Sequence, residues 1–464
     1  MSWVGEEFDL LDLDDLRIDR RAINIIETLG LSPGRTIPQA FQSRGEIKGC
    51  YNFFAHSSVT VAKILKPHIE KTIERIQEFP VALLISDTSK LDYTSKESIE
   101  GKTRLTNKQK GFWLHQTIAV TPERLTLGSI EANFWERAPE VSDKSSACNT
   151  ARDKAPIKEK ETFRWLQSYL TACEVARKAP GTQIINVTDR EGDIIEIFAE
   201  AQTQKAAGLY AQFIIRSNHD RILEETDLED AKIHKKLRQK LKESSPLGEI
   251  EFAIPATEKR KARKVKQQVK ATSVKLKSIT KNGEKLEVEI NVVMLVENDP
   301  PIGEKPLIWV LLTTLPIDKY EDILKVVKYY LCRWEIEIFF KVLKSGCKIE
   351  ERQLQTADKM KNLIAIFMVL SWRVMYTMML GRTCPELPCS DLFEEAEWKS
   401  VYKIAHRKKA LPRKAPTLNA FIKMVATLGG YVEQKGGRPP GVKVMWKGMA
   451  RMIDFAIAWD AFGG

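Results

Sequence analysis

Two short apolar runs, each followed closely by an acidic residue, constrain the fold most. Val81–Ile85 precedes Asp87, and Gln183–Val187 precedes Asp189. Continuous apolar runs of this length are typical of buried strands. Ligands bind where the carboxyl ends of parallel strands meet, at one edge of a sheet. The sequence therefore predicts neighbouring central strands that bring Asp87 and Asp189 to the same edge.

The order of the surrounding elements predicts the fold class. After the first strand we expect strands over Gly111–Val120 and Arg124–Ala132, a helix over Glu161–Arg177, the second buried strand, a helix over Ile194–Ala206 and a strand over Leu209–Ile215. Three strands followed by helix, strand, helix and strand is the order of an α/β core of the ribonuclease H-like type. A further strand over Leu307–Leu312 resumes the pattern.

Residues 220–304 interrupt this core. They contain the basic run Glu258–Lys266 and two stretches with alternating apolar residues, joined by Asn282-Gly283. Asn-Gly between alternating stretches is a strong hairpin signal. We predict a β-rich insertion with a basic face.

The segment Tyr330–Lys344 predicts a helix with one polar stripe. At 100° per residue its polar side chains fall within an arc of roughly 80°. These are Tyr330, Arg333, Glu337, Lys341 and Lys344. The rest of the helix is almost wholly apolar, which indicates burial on most sides and a polar stripe that lines a cleft. A solvated charged face is the ordinary alternative.

Composition indicates the partner. Of 464 residues, 73 are Lys or Arg and 62 are Asp or Glu, for a net charge of +11. This excess favours a polyanionic partner, nucleic acid first and an anionic membrane second. The seven cysteines are scattered without a CxxC pair, which predicts free thiols in a reducing cytosol. No signal-peptide pattern is present, and the most apolar stretch, Leu363–Trp372, predicts a core helix rather than a membrane span.

Both ends of the chain predict helices. The division we expect is a helical domain over residues 1–76, an α/β domain with the β-rich insertion over 77–350 and a helical domain over 351–464. A basic helical N-terminal domain is a common DNA-binding design. A helical cap over the catalytic domain is the alternative.

Asp87, Asp189 and Glu337 form a candidate set of three carboxylates. A single Asp after a strand is more often a cap or turn residue than a ligand. Three converging carboxylates, in contrast, suit Mg²⁺ and phosphoryl transfer, because two ions can assist the attacking and the leaving oxygen.

With these residues the chain resembles a known family. Tyr330-x2-Arg333-x3-Glu337-x6-Lys344, Asp87-Thr-Ser and Asp189-Arg-Glu-Gly-Asp193 are similar to the signatures of bacterial cut-and-paste DDE transposases of the insertion-sequence-four group, the group of the transposon-five transposase. The resemblance runs from about residue 12 to residue 455. It implies that residues 1–76 bind the DNA ends, that 77–350 form the catalytic domain and that 351–464 dimerise the protein.

The resemblance implies roles for particular residues. Asp87, Asp189 and Glu337 would be the catalytic metal ligands, for Mg²⁺ with Mn²⁺ as a substitute. Contacts to the DNA would come from Tyr330, Arg333, Lys341, Lys344, Arg216, Trp309 and Trp334. Trp309 would stack on a base flipped out at a DNA hairpin, worth about 1–3 kcal/mol. For Trp334 a buried core position is an equal alternative.

The function expected from the resemblance is DNA transposition. The protein would cleave transposon ends through a hairpin intermediate and join them to target DNA, as a homodimer on double-stranded DNA, with no membrane partner and a cytoplasmic, nucleoid-associated location. Two alternatives stay open at this point. One is a ribonuclease H-like nuclease without strand transfer, and the other is a DNA-binding protein derived from a transposase.

Overall fold

The computed structural model describes residues 2–31, 34–135, 156–208, 210–223, 236–254, 263–279, 285–407, 409–434 and 437–462. The chain forms two compact units. Unit 1 consists of residues 1–78, 88–137 and 334–464, and unit 2 consists of residues 79–87 and 138–333. The predicted division at residues 76/77 and 350/351 stays a prediction.

Unit 1 contains the helices of both chain ends. In the N-terminal part these are α1 (Trp3–Glu7), α2 (Leu16–Leu31), α3 (Ile37–Ala40), α4 (Arg44–Phe54) and α5 (Val61–Gln77). Side-chain caps begin several of them. Ser43 and Glu46 form a capping box at α4, and the Thr60 hydroxyl accepts the Lys63 N–H at α5. The helices predicted for this end of the chain are confirmed.

The C-terminal helices of unit 1 surround one long apolar helix. They are α10 (Trp334–Lys341), α11 (Ala357–Thr383), α12 (Glu395–His406), α13 (Leu418–Leu428) and α14 (Val442–Ala461). Helix α11, which contains the predicted core stretch Leu363–Trp372, is long and apolar enough to cross a membrane by length and composition alone. The predicted core role is nevertheless right, because 83% of its most apolar 18-residue window is buried inside the protein.

Buried hydroxyls fit into α11 because they bond to their own helix. Ser371 donates to the Phe367 carbonyl and Thr377 donates to the Arg373 carbonyl, both at 2.7 Å.

Unit 1 also contains β-strands. They are β2 (Thr103–Arg104), β3 (Lys110–Val120), β4 (Thr126–Trp135) and residues 88–92 of β1 (Val81–Asp92). β3 lies between β2 and β1 and also pairs with β4, antiparallel in its pairings with β2 and β4. The strands predicted over Gly111–Val120 and Arg124–Ala132 are confirmed, with small shifts of their ends.

The first strand is longer than predicted. β1 does not end before Asp87 but continues to Asp92, so Asp87 lies within it. Beyond Asp87 the strand keeps β3 as its neighbour, and just past its end the Tyr93 N–H donates to the Lys110 carbonyl at 3.0 Å. Backbone pairing therefore outweighs the polar Ser-Asp-Thr-Ser sequence that suggested an end.

Unit 2 holds the core of mixed strands and helices. Its elements are residues 81–87 of β1, α6 (Phe163–Lys178), β5 (Gln183–Thr188), α7 (Ile195–Ala206), β6 (Gln212–Arg216), α8 (Leu237–Glu243), β7 (Gly248–Ile254), β8 (Arg263–Ile279), β9 (Lys285–Glu297), β10 (Ile308–Thr313) and α9 (Tyr320–Leu331). The strands follow the order β1-β5-β6-β10-β9-β8-β7. β1, β5 and β6 run parallel, and β10, β9, β8 and β7 are paired antiparallel.

The β-rich insertion is present as β7, β8 and β9. Ile279 pairs with Lys285, as a hairpin requires, and Asn282-Gly283 lies outside the described residues. Residues 258–262 of the basic run lie outside the described residues, so the predicted basic face stays a prediction. Lys264 and Lys266 on β8 form ion pairs with Glu251 and Glu249 on β7, because antiparallel register sets them nearly opposite one another.

The predicted helix Tyr330–Lys344 is broken. α9 ends at Leu331, and the N–H groups of Cys332 and Arg333 bond three residues back, to Tyr329 and Tyr330, which tightens the turn. α10 begins at Trp334, and a wide π-helical turn follows over Val342–Gly346. The arc calculated for one continuous helix therefore does not apply across Cys332.

Candidate functional site

In unit 2 the pairing of β1 with β5 positions the two predicted aspartates. The strands run parallel with Ile85 opposite Val187, and this register carried two residues further places Asp87 opposite Asp189. Asp189 keeps an extended backbone after β5 ends. Neighbouring strands lie about 4.8 Å apart, and residues at equivalent positions point to the same face. The predicted neighbours are therefore together, and both are half-buried.

A tight turn after β5 holds Asp189 in place. The Asp189 Oδ1 atom accepts the Glu191 N–H at 2.8 Å, which caps the 3-10 helix Arg190–Gly192. Gly192 is required there, because a Cβ atom would lie 2.3 Å from the Thr188 hydroxyl oxygen. Asp189 thus caps the turn, as is common for a single Asp after a strand, and it also follows the strand next to that of Asp87.

The last acid of the Asp-Arg-Glu-Gly-Asp motif has a different task. Asp193 is buried and accepts the N–H groups of Asn218 and His219 at 2.7 and 2.9 Å. The Arg221 guanidinium also donates to its carboxylate. Asp193 therefore fixes the loop that follows Arg216 at the end of β6.

Arginines surround the two aspartates. The Arg333 Nη1 atom lies 3.4 Å from the Asp87 Oδ2 atom, so Arg333 forms an ion pair with that carboxylate. Arg216 is half-buried, and burial lowers its pKa while the nearby Tyr330 opposes the change. The positive charges of Arg190 and Arg333 lower the Arg216 pKa further. Three cations therefore crowd one another close to two acids.

Tyr330 is buried among these charges. Burial, the largest influence, raises the pKa of its phenol, and Arg216 and Arg333 act in the opposite direction. The phenol is consequently a neutral hydrogen-bonding group at pH 7.

Trp309 packs within the same cluster. It lies near the start of β10. Its ring centroid is 5.8 Å from that of Tyr330 and 5.7 Å from that of Phe252 on β7, and the Arg216 guanidinium lies 5.9 Å away. An indole between a cation and two rings is held in one orientation.

In unit 1, helix α10 carries two glutamates, Glu335 and Glu337, that differ in their exposure. Glu335 is buried and its Oε1 atom accepts a hydrogen bond from Arg124 at 2.7 Å. Burial, the largest influence, raises the Glu335 pKa, and Arg124 and Arg382 oppose this rise. Glu337 lies two residues on, about 200° around the helix, and is half-exposed. Of the two, Glu337 has the accessibility that a metal ligand needs.

The remaining DNA-contact candidates of unit 1 are also accessible. Trp334 is 52% exposed, so the buried core position considered for it is wrong. Lys341 is exposed at the end of α10. Lys344, in the π-helical turn, is half-buried and donates to the Lys90 carbonyl. Burial lowers the Lys344 pKa, and the acids Glu350 and Asp92 oppose the change.

A divalent metal such as Mg²⁺ needs several oxygen ligands close together. Among the residues that the structure describes, no three His, Cys, Asp or Glu side chains come close enough together to hold an ion. Asp87 and Asp189 provide a pair of carboxylates on adjacent strands, and carboxylate oxygen is the ligand that Mg²⁺ prefers. The pair therefore fits a hard cation.

Family comparisons define the class of the protein. A transposase DNA-binding model matches residues 1–59, a transposase DDE domain model matches residues 202–372 and a model of the transposase Tn5 dimerisation domain matches residues 369–459. Together they describe an enzyme that binds DNA, acts on it and dimerises.

The chain belongs to the DDE transposases that are related to transposase Tn5. The DDE domain implies a ribonuclease H-like core and a divalent metal. Glu337 lies within the matched stretch, whereas Asp87 and Asp189 lie before it. Assignment to the insertion-sequence-four group stays a prediction.

Two residues near the site were missed. Arg190 stands inside the Asp189 motif, so its neighbours pointed to it, but nothing local indicated that its charge acts on Arg216. Phe252 carries no sequence signal, since its contact with Trp309 joins β7 to β10, which are three places apart in the strand order.

Proposed function

We propose that this transposase moves DNA by a cut-and-paste reaction. Water would nick each transposon end and release a 3′-hydroxyl, which would attack the opposite strand to form a hairpin. Water would open the hairpin, and the 3′-hydroxyl would then attack target DNA. The observation that supports the proposal is the parallel pairing of β1 with β5, since Asp87 and Asp189 each follow two residues after the paired Ile85 and Val187.

The carboxylates of Asp87, Asp189 and Glu337 would hold Mg²⁺, with Mn²⁺ as a substitute. Bound there, the metal supplies activation of the attacking oxygen and stabilisation of the leaving oxygen. The ion pair of Asp87 with Arg333 supports this assignment, because the carboxylate already faces a cationic group.

The cationic side chains would bind the phosphates of the transposon end. Arg216 and Arg333 present planar guanidinium groups, which bind phosphate oxygens in pairs, and Lys341 and Lys344 add point charges. Tyr330 would donate its phenolic hydrogen to a phosphate oxygen. The crowding of like charges around Arg216 supports this role, because an anion would relieve it.

Trp309 and Trp334 would contact bases. Trp309 is held by Phe252 and Tyr330 and would stack on a flipped base at the hairpin. The exposure of Trp334 is consistent with a second base or sugar contact.

The helical ends would assemble the complex. The match to the DNA-binding model supports recognition of transposon ends by the N-terminal helices, and the match to the dimerisation model supports a homodimer formed by the C-terminal helices. We expect the protein to work in the cytoplasm, associated with the nucleoid.

The test is a time course of DNA products with the element's own terminal sequences and Mg²⁺. Nicked, hairpin and fully cleaved ends are separated on a denaturing gel, and a labelled plasmid reports joining. We expect all three end products and joined DNA. Cleavage without joining would show a nuclease, and binding without cleavage would show a DNA-binding protein.

A further inference from the structure

Unit 1 carries a basic surface around the turn that joins β2 to β3. Two adjoining depressions of about 680 and 590 Å³ share the residues of this turn. The cations that line them are Lys90, Lys102, Arg104, Lys108 and Lys110. Among the described lining residues the acidic side chain is Glu97. We call these five cations the β2–β3 basic surface.

The cations differ in how the protein uses them. Lys102 donates to the carbonyls of Tyr93 and Lys96, and Arg104 donates to the Asn107 side chain. For Lys90, Lys108 and Lys110, the structure records no ion pair within its described part. These three are exposed, and they provide the charge that the chain leaves unbalanced.

The turn that displays the lysines is fixed. The Leu105 N–H bonds to the Gln109 carbonyl at 2.9 Å, and the Gln109 side chain donates to Asp92 at 2.8 Å. Gly111 permits close approach of β3 to β1, since a Cβ atom there would lie 1.9 Å from the Leu91 carbonyl oxygen. A rigid turn loses little entropy when its lysines bind a ligand.

The Lys90 ammonium lies over an aromatic side chain. Its ammonium lies 5.1 Å from the centroid of the Trp113 ring, and Trp113 stacks on Trp135 at 5.0 Å. The charge therefore stays at the surface in a defined place.

Lysines elsewhere show that this arrangement is not a general property of the chain. On β8, Lys264 and Lys266 each face a glutamate across the strand pair. A solvated charged surface is balanced in this way, whereas the β2–β3 basic surface is not. The unbalanced surface fits a polyanion.

We propose that the β2–β3 basic surface binds the phosphate backbone of the target DNA. This inference rests on the proposed function. Lys344, assigned to the end phosphates, donates to the carbonyl of Lys90, so the surface begins immediately beside that contact. Transposon ends have a dedicated DNA-binding domain, matched at residues 1–59. Target DNA is bound by phosphate contacts, and exposed lysines on a rigid turn supply such contacts without reading sequence.

The experiment uses the full chain with pre-cut transposon ends and a supercoiled plasmid target. The variant K108A/K110A removes two unbalanced charges. Its matched control, K264A/K266A, also removes two exposed lysines that are two residues apart on the chain. Joining is measured over a series of NaCl and plasmid concentrations, and cleavage of uncut ends and thermal melting are measured beside it.

We expect K108A/K110A to cleave ends and melt like the control but to join roughly 10-fold less at physiological salt. The slope of log target affinity against log salt should fall by about 1.8, or 0.9 for each lost phosphate contact. K108R/K110R should restore joining. Joining equal to that of the control would overturn the inference, and so would an equal loss of cleavage and joining, which would assign the surface to the transposon's own DNA. If the wild-type protein joins no DNA at all, the proposed function fails instead.

Discussion

Two clusters of charged side chains in this transposase are built on opposite plans. In unit 1, Glu7 accepts hydrogen bonds from His68 and from both terminal nitrogens of Arg75, and His68 accepts the Ser129 N–H at its Nε2 atom. In unit 2, Arg190, Arg216 and Arg333 lie close enough to influence one another, near two aspartates.

The difference separates a structural cluster from a functional one. The Glu7–His68–Arg75 cluster carries one negative and one positive charge with a neutral imidazole, and its donors and acceptors meet inside the protein. In unit 2 the three arginines outnumber the two neighbouring aspartates. A bound anion would relieve the repulsion between the arginines. We infer that an excess of one charge in a half-buried place, rather than the number of charges, indicates where DNA binds.

The largest effect is expected at the aspartates of unit 2. Asp87→Ala and Asp189→Ala should each reduce end cleavage by at least about 10³-fold, since metal ligands stabilise the transition state. Binding of end DNA should change little, because phosphate contacts dominate affinity. Cleavage is followed on gels and binding by fluorescence anisotropy. A variant that cleaves at a substantial rate would remove its residue from the site.

The structural cluster should respond in the opposite way. Glu7→Ala leaves Arg75 and His68 without their buried acceptor and should lower the free energy of unfolding by about 3–5 kcal/mol. Denaturant unfolding measures this loss. The control is Arg17→Ala, which removes the exposed partner of Asp15 and should change the free energy of unfolding by less than about 1 kcal/mol. Equal effects of the two substitutions would contradict the account.

Trp309 tests whether a residue beside the arginines of unit 2 serves DNA binding or only packing. If it stacks on a flipped base, Trp309→Ala should spare nicking and slow hairpin formation about 5- to 150-fold, which corresponds to 1–3 kcal/mol of stacking. If its contacts with Phe252 and Tyr330 serve only packing, every step should decline together and the melting temperature should fall. A product time course beside a thermal melt distinguishes the two outcomes.

The smallest effect concerns pH. Burial, the largest influence, lowers the pKa of His68 below 6.5, although Glu7 opposes it. The unfolded chain therefore binds a proton between pH 6.5 and the lower folded pKa, so the free energy of unfolding falls as the pH is lowered through this window. His68→Asn should flatten the dependence, as measured by denaturant unfolding at several pH values. An unchanged slope would assign the dependence to other groups.

Local sequence patterns predicted the parts of the fold that depend on local chemistry. The apolar run before Asp189 is β5, and the alternating stretches flanking Asn282-Gly283 are β8 and β9. Side-chain period and turn residues carry this information along the chain.

Features that depend on partners distant in sequence could not be predicted. β1 extends past Asp87 because β3 pairs with it, and Lys264 and Lys266 are neutralised because β7 supplies glutamates in register. The helical period did not predict the break at Cys332 either, because the residues on both sides of it form helices. The strand extension and the ion pairs depend on residues that are close in space but distant in sequence, so local patterns do not predict them.

The most direct test of the central claim compares two glutamates on α10. Glu335→Gln removes a buried carboxylate that pairs with Arg124, and Glu337→Gln removes a half-exposed one two residues away. End cleavage with Mg²⁺ and thermal melting are measured for both. We expect Glu337→Gln to melt like the wild type and lose cleavage, and Glu335→Gln to melt at a lower temperature but still cleave when assayed below it. Efficient cleavage by Glu337→Gln would contradict the account.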